Sequence, residues 1–218
     1  MHSRAVALVI LVLGFVLPVC AGDVLDWFPL RVGNRWIYEH YSKTGDPNYP
    51  TATAWTTIET VIDQRQIAEG VVAVISVEQR GTSPGGWIAQ RSQTNCLTRR
   101  DCVYALHEGW DSAKLDLTGE YRTQLNAGTA PPDFCFPLEA GKRWGDPQDW
   151  GWLVEGIVSA NRTGAMTGAY RLKCGWSQGP LYVWFKRGTG IVAESFSHSG
   201  TYVQYGRTLT QFLPAKTN

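Results

Sequence analysis

Residues 28–36 read FPLRVGNRW and residues 136–144 read FPLEAGKRW, so six of nine positions are identical at a distance of 108 residues. In both copies a proline fixes φ at the start of a turn, and a glycine supplies a conformation that other residues resist. The leucine and the tryptophan then supply large apolar side chains that hold the turn against a core. The repeat predicts two similar turns, each of which opens a strand.

The rest of the chain has the pattern of β-strands. Residues 71–80 place Ser76, Glu78 and Arg80 opposite an apolar face, and residues 55–62 are rich in β-branched types. Further strand-like runs, separated by glycines, cover 150–159, 181–185 and 202–212. The predicted fold is all-β: an antiparallel meander of about nine to eleven strands that forms a strongly curved sheet or a partly open barrel. A short helical turn is predicted only at 110–117.

Composition excludes several classes of protein. The chain has 218 residues, of which 44% are hydrophobic and 18% charged, as in a folded globular protein rather than a disordered one. Its formal net charge of +1 excludes the strongly basic surface expected of a nucleic-acid binder. No motif indicates a cofactor or a metal ion, and the sequence predicts neither.

The N-terminus has the pattern of a secretory signal. Residues 1–4 are basic, residues 5–19 are apolar, and Val19 and Ala21 suit a cut after Ala21. The apolar run is shorter than the roughly 20 residues of a membrane span. We therefore expect a signal peptide at 1–21, a single β-rich domain at 22–218, and a secreted or periplasmic protein without a membrane span.

Cys20 offers a second interpretation of the same segment. In bacterial lipoproteins a cysteine directly after the apolar run is lipidated and becomes the mature N-terminus. Pro18 and Val19 fit that signal poorly, so the sequence favours the cut after Ala21. Lipidation of Cys20 would instead anchor the protein in the outer membrane.

Removal of the signal leaves four cysteines, an even number that predicts two disulfides in an exported protein. Three connectivities are open. We favour Cys96–Cys102, which flanks a short polar loop, together with Cys135–Cys174. A zinc site made of the four thiolates is disfavoured, because the chain has no C-x2-C pair and an oxidising compartment opposes it.

The two FPL segments and the later run WFKRGTGIV at 184–192 resemble a broad group of uncharacterised bacterial exported proteins and lipoproteins. In that group, an N-terminal FPLxxGxxW and a late WFxxGxGIV hairpin bracket a β-rich domain. The group is similar in outline to the half-open barrels of the periplasmic lipoprotein-carrier class. The resemblance implies a curved β-sheet in the cell envelope, and it brings no catalytic residues.

Candidate catalytic patterns are weak. Residues 81–85 match G-x-S-x-G, but Pro84 has no N–H for the oxyanion hole that this motif requires. The mature histidines, at positions 40, 107 and 198, lie far apart in the sequence and lack ligand spacing. A pair of glycosidase carboxylates among Asp146, Asp149 and Glu155 is another weak candidate, because the separation of the carboxylates cannot be read from the sequence. The sequence therefore favours a protein without catalytic activity.

Tryptophan is the compositional feature most suggestive of binding, with ten residues in the chain. Trp36 and Trp144 belong to the repeat and are predicted to lie in the core. Four others sit beside glycine, aspartate or serine and are candidate ligand contacts: Trp87, Trp110, Trp150 and Trp176. We thus expect a non-catalytic envelope protein that binds an apolar ligand or a protein partner on a concave sheet face. The alternatives are a secreted carbohydrate-binding module that uses exposed Trp and Tyr, and a secreted hydrolase.

Overall fold

A computed structural model describes residues 22–46, 49–83, 86–106, 109–112, 114–146, 150–159, 166–176 and 178–216. The predicted signal peptide, with Cys20, lies outside these ranges, as do His107 and Asp149. Within the described ranges the structure has two helices, α1 at Gly22–Trp27 and α2 at Gly119–Ala127. No helix in the described ranges has the length and apolar character needed to cross a membrane.

Most of the described chain is in β-strands. The fourteen strands are β1 (Arg35–Asp46), β2 (Tyr49–Ile67), β3 (Gly70–Ser83), β4 (Gly86–Arg99), β5 (Cys102–Ala105), β6 (Trp110–Asp111), β7 (Asp116–Leu117), β8 (Phe134–Cys135), β9 (Arg143–Gly145), β10 (Gly151–Ile157), β11 (Tyr170–Trp176), β12 (Gly179–Lys186), β13 (Gly190–Ser197) and β14 (Val203–Leu213). Five of them, β5 to β9, have only two to four residues. The nine longer strands agree with the predicted number of about nine to eleven. The five short strands raise the total above that number, because strands of two to four residues are too short to show a periodic pattern in the sequence.

Twelve strands form one antiparallel sheet in the order β8-β5-β4-β3-β2-β1-β14-β13-β12-β11-β10-β9. Neighbours in the sheet are mostly neighbours in the sequence, so each half of the chain is a meander, and β1 joins the halves by pairing with β14. The sheet is nearly closed into a barrel. The predicted fold class is confirmed.

The two FPL segments form equivalent turns. The amide of Gly33 donates to the carbonyl of Val61 at 2.8 Å, and the amide of Gly141 donates to the carbonyl of Val154 at the same distance. In return, the amides of Val61 and Val154 donate to the carbonyls of Asn34 and Lys142, the residues after the two glycines, both at 3.0 Å. Both glycines have positive φ, +92° and +87°, a region that favours glycine. The sequence repeat therefore corresponds to a repeated way of pairing a turn with the strand beside it.

One large core fills the barrel at the end where these turns and α1 lie. Trp36 is 1% exposed, and its indole N–H donates to the carbonyl of Thr189 at 2.6 Å. Trp27 of α1 stacks on Phe136 with ring centroids 5.8 Å apart. The core also contains Leu30, Tyr38, Val61, Leu138, Trp152, Val154, Leu172, Val183 and Phe185. We call the side of the sheet that holds this core the concave face and the opposite side the convex face.

A second, smaller cluster covers the convex side of β3 and β4. It contains Val72, Leu97, Leu106, Leu117, Leu125 and Ala130. The predicted helical turn at 110–117 is wrong, because β6 and β7 pair there and the helix begins two residues later. The Thr118 hydroxyl accepts from the amide of Tyr121 as an N-cap, and Gly128 ends α2 in the left-handed conformation.

The predicted disulfide pairs, Cys96–Cys102 and Cys135–Cys174, are wrong. The bridge joins Cys102 to Cys135, while Cys96 and Cys174 remain thiols. The cause is the strand register. A two-residue turn at 100–101 places Cys96 opposite Ala105, and β8 then places Cys135 opposite Cys102. The bridge fastens the short edge strand β8 to β5.

Candidate binding site on the concave face

The concave face is apolar at the end of the strands that holds the large core and polar toward the other end. Beyond the aromatic core, the row that begins at buried Tyr38 on β1 continues through Thr57, Gln79 and Gln90 on β2, β3 and β4. Gln79 is half-buried and Gln90 is exposed. Ser92, two residues further along β4 and therefore on the same face, is exposed as well. This part of the concave face, which we call the open half, is lined by polar side chains.

The next row along the strands lies beside the row of Tyr38, where the open half begins, and we call this position the entrance to the open half. It consists of five directly paired residues, one from each of five strands. Glu194 on β13 faces Arg207 on β14, which faces His40 on β1. His40 faces Trp55 on β2, and Trp55 faces Gly81 on β3. The row therefore runs from a carboxylate, through a guanidinium and two flat rings, to a residue without a side chain.

Arg207 is the electrostatic centre of this row. Its Nε and Nη2 donate to the two carboxylate oxygens of Glu194, both at 2.8 Å, and its Nη1 donates to Glu59 at 2.5 Å. The guanidinium lies 4.4 Å from the ring centroid of Tyr38. Burial opposes its charge, but the carboxylates of Glu194 and Glu59 outweigh burial and raise the pKa of Arg207. The guanidinium of Arg207 therefore stays charged.

His40 is a neutral ring at neutral pH. Burial and the nearby charge of Arg207 lower its pKa from 6.5 to about 4. Its Nε2 shares a hydrogen bond of 2.8 Å with the hydroxyl of Thr57. The imidazole stacks on the indole of Trp55, with centroids 5.0 Å apart and planes 18° from parallel.

Trp55 is half-buried, and its next neighbour along the row, Gly81, has no side chain. The following row, on the side of His40 that faces away from Tyr38, adds a second aromatic pair. In it Tyr205 stacks on Phe196, with ring centroids 4.9 Å apart. Tyr205 is 38% exposed. The open half thus combines accessible aromatic rings with polar side chains, a composition that is common at recognition surfaces.

The predicted ligand-contact tryptophans are not in this row. The side chains of Trp87 and Trp176 lie outside the described residues. Trp110 is half-buried against the smaller cluster, and Trp150 is half-buried with its ring at 6.4 Å from Trp152 of the large core. The structure therefore places the two described residues in separate clusters, and ligand contact by these tryptophans stays a prediction.

The predicted catalytic candidates are engaged in other contacts where the structure describes them. His198 Nδ1 accepts from the amides of Gly200 and Thr201 at 3.0 and 3.1 Å. The carboxylate of Glu155 forms an ion pair with Arg171 at 2.5 Å on the convex face. Across the described ranges, no three His, Cys, Asp or Glu side chains are grouped as a metal site requires.

Of the residues of the row, the sequence singled out only His40, as one of three mature histidines. All except Gly81 are polar or aromatic residues on the inward side of a strand, which is the available signal, but the sequence does not show which strands pair. Arg207 and Glu59 are 148 residues apart in the chain. Only the pairing of β1 with β14 brings them together.

Comparison with known proteins gives structural similarities only. No family model matches the chain, and no curated protein matches it. A candidate lipoprotein from Parabacteroides distasonis is 12% identical, with 86% of this chain and 99% of that chain covered, at a TM-score of 0.45. A candidate exported protein with a YmcC-like fold from Bacteroides fragilis is 13% identical, with 87% and 99% covered, at 0.42. A DUF1329 family protein from Desulfovibrio piger is 8% identical, with 85% and 87% covered, at 0.22.

Proposed function

We propose that this protein is a non-catalytic exported protein of the bacterial envelope that binds a partner protein through the open half of its concave face. Export is supported by the signal pattern of residues 1–21 and by the FPLxxGxxW and WFxxGxGIV motifs. The observation that carries the binding proposal is the polar, aromatic row that crosses five strands at the entrance to the open half.

The lining of the open half favours a protein over an apolar small molecule. Gln79 and Gln90 would have to lose hydrogen bonds to water beneath a lipid chain, and an unreplaced hydrogen bond of this kind is costly. A polypeptide can replace those bonds with its own amides. The apolar side chains of the concave face pack against one another in the large core.

The edge of β4 offers a partner a further set of hydrogen bonds. β4 spans Gly86–Arg99, but β5 pairs with only its last four residues, Cys96–Arg99. Within the described ranges, residues 86–94 therefore have a strand neighbour on one side only. Such an edge is a ready template for an added strand. A partner segment paired there would lie along the rim of the open half.

Site-specific photo-crosslinking tests the proposal. A photoreactive residue replaces Gln90, which lies on the concave face, or its neighbour Arg91, which lies on the convex face, and both positions are exposed. In cells that produce the protein, position 90 is expected to give one discrete protein adduct and position 91 much less of it. The adduct should disappear in Trp55→Ala and persist in Trp184→Ala, a tryptophan on the convex face.

Three outcomes contradict the proposal. They are equal adducts from positions 90 and 91, an adduct that Trp55→Ala leaves unchanged, and a stoichiometric lipid bound to the protein purified from the envelope. The last outcome would support an apolar ligand in place of the partner protein.

A further inference from the structure

A depression of about 480 Å³ lies on the convex face over strands β1, β2, β3 and β14. This volume falls within the roughly 300–1,000 Å³ of small-molecule pockets. His40, Trp55 and Gly81 are among its lining residues, although alternation along the strands turns the side chains of His40 and Trp55 to the concave face. The side chains on the convex side of the depression belong to two adjacent rows that cross the strands. One row is Gly206–Tyr41–Ala54, and the other is Thr208–Glu39–Thr56–Arg80. Alternation along each strand places these residues on the side opposite His40 and Trp55.

The first row supplies a flat apolar wall. Tyr41 is 39% exposed, and its ring covers Gly206 so closely that a Cβ there would lie 2.7 Å from the ring. The ring leans toward β14, and Ala54, on the other side of Tyr41, is too small to fill the space above β2. An exposed aromatic face beside an unfilled space is the arrangement on which a flat ring can stack.

The second row supplies hydrogen-bonding groups along the same space. Glu39 is exposed, and its carboxylate makes no hydrogen bond or ion pair with the described part of the chain. Thr56 and Thr208 flank it as its register partners and carry hydroxyls that both donate and accept. Arg80 binds Glu78 through Nε and Nη2 and keeps 61% of its side chain exposed. The depression therefore offers an acceptor, a donor and two hydroxyls around one aromatic wall.

We propose that this depression binds a neutral sugar, with one face of a pyranose ring on Tyr41 and its hydroxyls on Glu39 and Arg80. A pyranose ring presents C–H groups on a face and hydroxyls at its rim, which matches this division between the two rows. Acidic sugars are disfavoured because Arg80 already pairs with Glu78, whereas the exposed carboxylate of Glu39 has no ion-pair partner in the described part of the chain and would repel a second carboxylate. The depression shares His40, Trp55 and Gly81 with the row on the concave face, but the side chains proposed to hold the sugar lie on the opposite face. Its test measures sugar binding rather than a protein adduct, so each proposal can fail alone.

The test is titration of the purified protein with glucose, galactose, mannose and N-acetylglucosamine, with glucuronate as the acidic comparison. Binding is measured by isothermal titration calorimetry and by saturation-transfer NMR. At least one neutral sugar is expected to bind in the millimolar range, and Tyr41→Ala is expected to weaken it by roughly tenfold or more. Glu39→Gln should weaken binding of the same sugar without unfolding the protein, because the carboxylate is exposed and supports no other side chain.

Tyr182→Ala is the matched control, since Tyr182 is an aromatic residue on the convex face outside the depression. It should bind the sugar as the unaltered protein does. The proposal is overturned if none of the four neutral sugars binds up to about 10 mM. It is also overturned if Tyr41→Ala and Glu39→Gln both bind as the unaltered protein does, or if glucuronate binds more tightly than every neutral sugar.

Discussion

Arg207 and Glu194 face each other across β14 and β13 and are joined by two hydrogen bonds of 2.8 Å. The same guanidinium holds Glu59, so one cation neutralises part of the charge of two carboxylates inside the barrel. All three side chains are mostly shielded, with 17–22% of their surface exposed. Since a buried charge without its partner is costly, this cluster links the stability of the fold to the geometry of the row that crosses five strands.

Replacement of Arg207 by leucine is expected to lower the free energy of unfolding by about 3–5 kcal/mol, because it leaves Glu59 and Glu194 charged and unpaired. Denaturant unfolding of the purified protein measures the change. The control is Arg171→Leu, which removes an exposed ion pair with Glu155 on the convex face and should change stability by less than about 1 kcal/mol. Equal losses in the two variants would show that the cluster has no special role.

The lowered pKa of His40 makes stability depend on pH. Between pH 6.5 and about 4 the imidazole takes up a proton in the unfolded chain but not in the folded protein. Stability from this group is therefore complete above pH 6.5 and declines as the pH falls toward 4, with a slope below about 1.4 kcal/mol per pH unit.

His40→Asn removes this contribution. Urea unfolding at several pH values between 4.5 and 7 should show a shallower pH dependence in the variant than in the unaltered protein. Carboxylates titrate in both proteins, so the difference between the two curves reports His40. Parallel curves would contradict the lowered pKa.

The cysteine pairing predicts a specific alkylation result. The protein unfolded without reductant should take up alkylating reagent at two cysteines, Cys96 and Cys174, and at neither Cys102 nor Cys135. Under native conditions Cys96 should react slowly, because burial raises its pKa to about 12. Peptide mapping by mass spectrometry identifies the modified positions. A protein with no alkylated cysteine would restore the two-bridge arrangement.

Loss of the Cys102–Cys135 bridge should destabilise the protein by about 2–5 kcal/mol, since it closes a loop with a sequence separation of 33. The double variant Cys102→Ser, Cys135→Ser is compared with Cys96→Ser by thermal unfolding. The double variant should melt at the lower temperature. The reverse order would indicate that the core thiol matters more than the bridge.

The two turn glycines give a matched pair of substitutions. At Gly141 an added Cβ meets nothing within 4 Å, so Gly141→Ala should cost about 1 kcal/mol from the positive φ alone. At Gly33 the Cβ also approaches that of Ala215 at 3.2 Å, so Gly33→Ala should cost more. Unfolding in urea compares them. A neutral Gly141→Ala would show that the turn does not need the left-handed conformation.

The fold class was accessible from the sequence because period-two patterns and the FPL repeat are local features. Trp36 could be assigned to the core for the same reason, and it is 1% exposed. The disulfide could not be assigned, because Cys102 and Cys135 meet only through the register of β4, β5 and β8. The binding row was missed for an equivalent reason, since His40 and Arg207 become neighbours only when β14 closes onto β1.

A partner protein bound at the open half is expected to pair one of its segments with the free edge of β4. Amide hydrogen exchange tests it directly when residues 86–94 are compared in the protein alone and in the complex isolated through the adduct at position 90. We expect fast exchange at alternate amides of β4 in the protein alone and marked slowing of those amides in the complex. Unchanged exchange along β4, with new protection confined to the convex face, would contradict it.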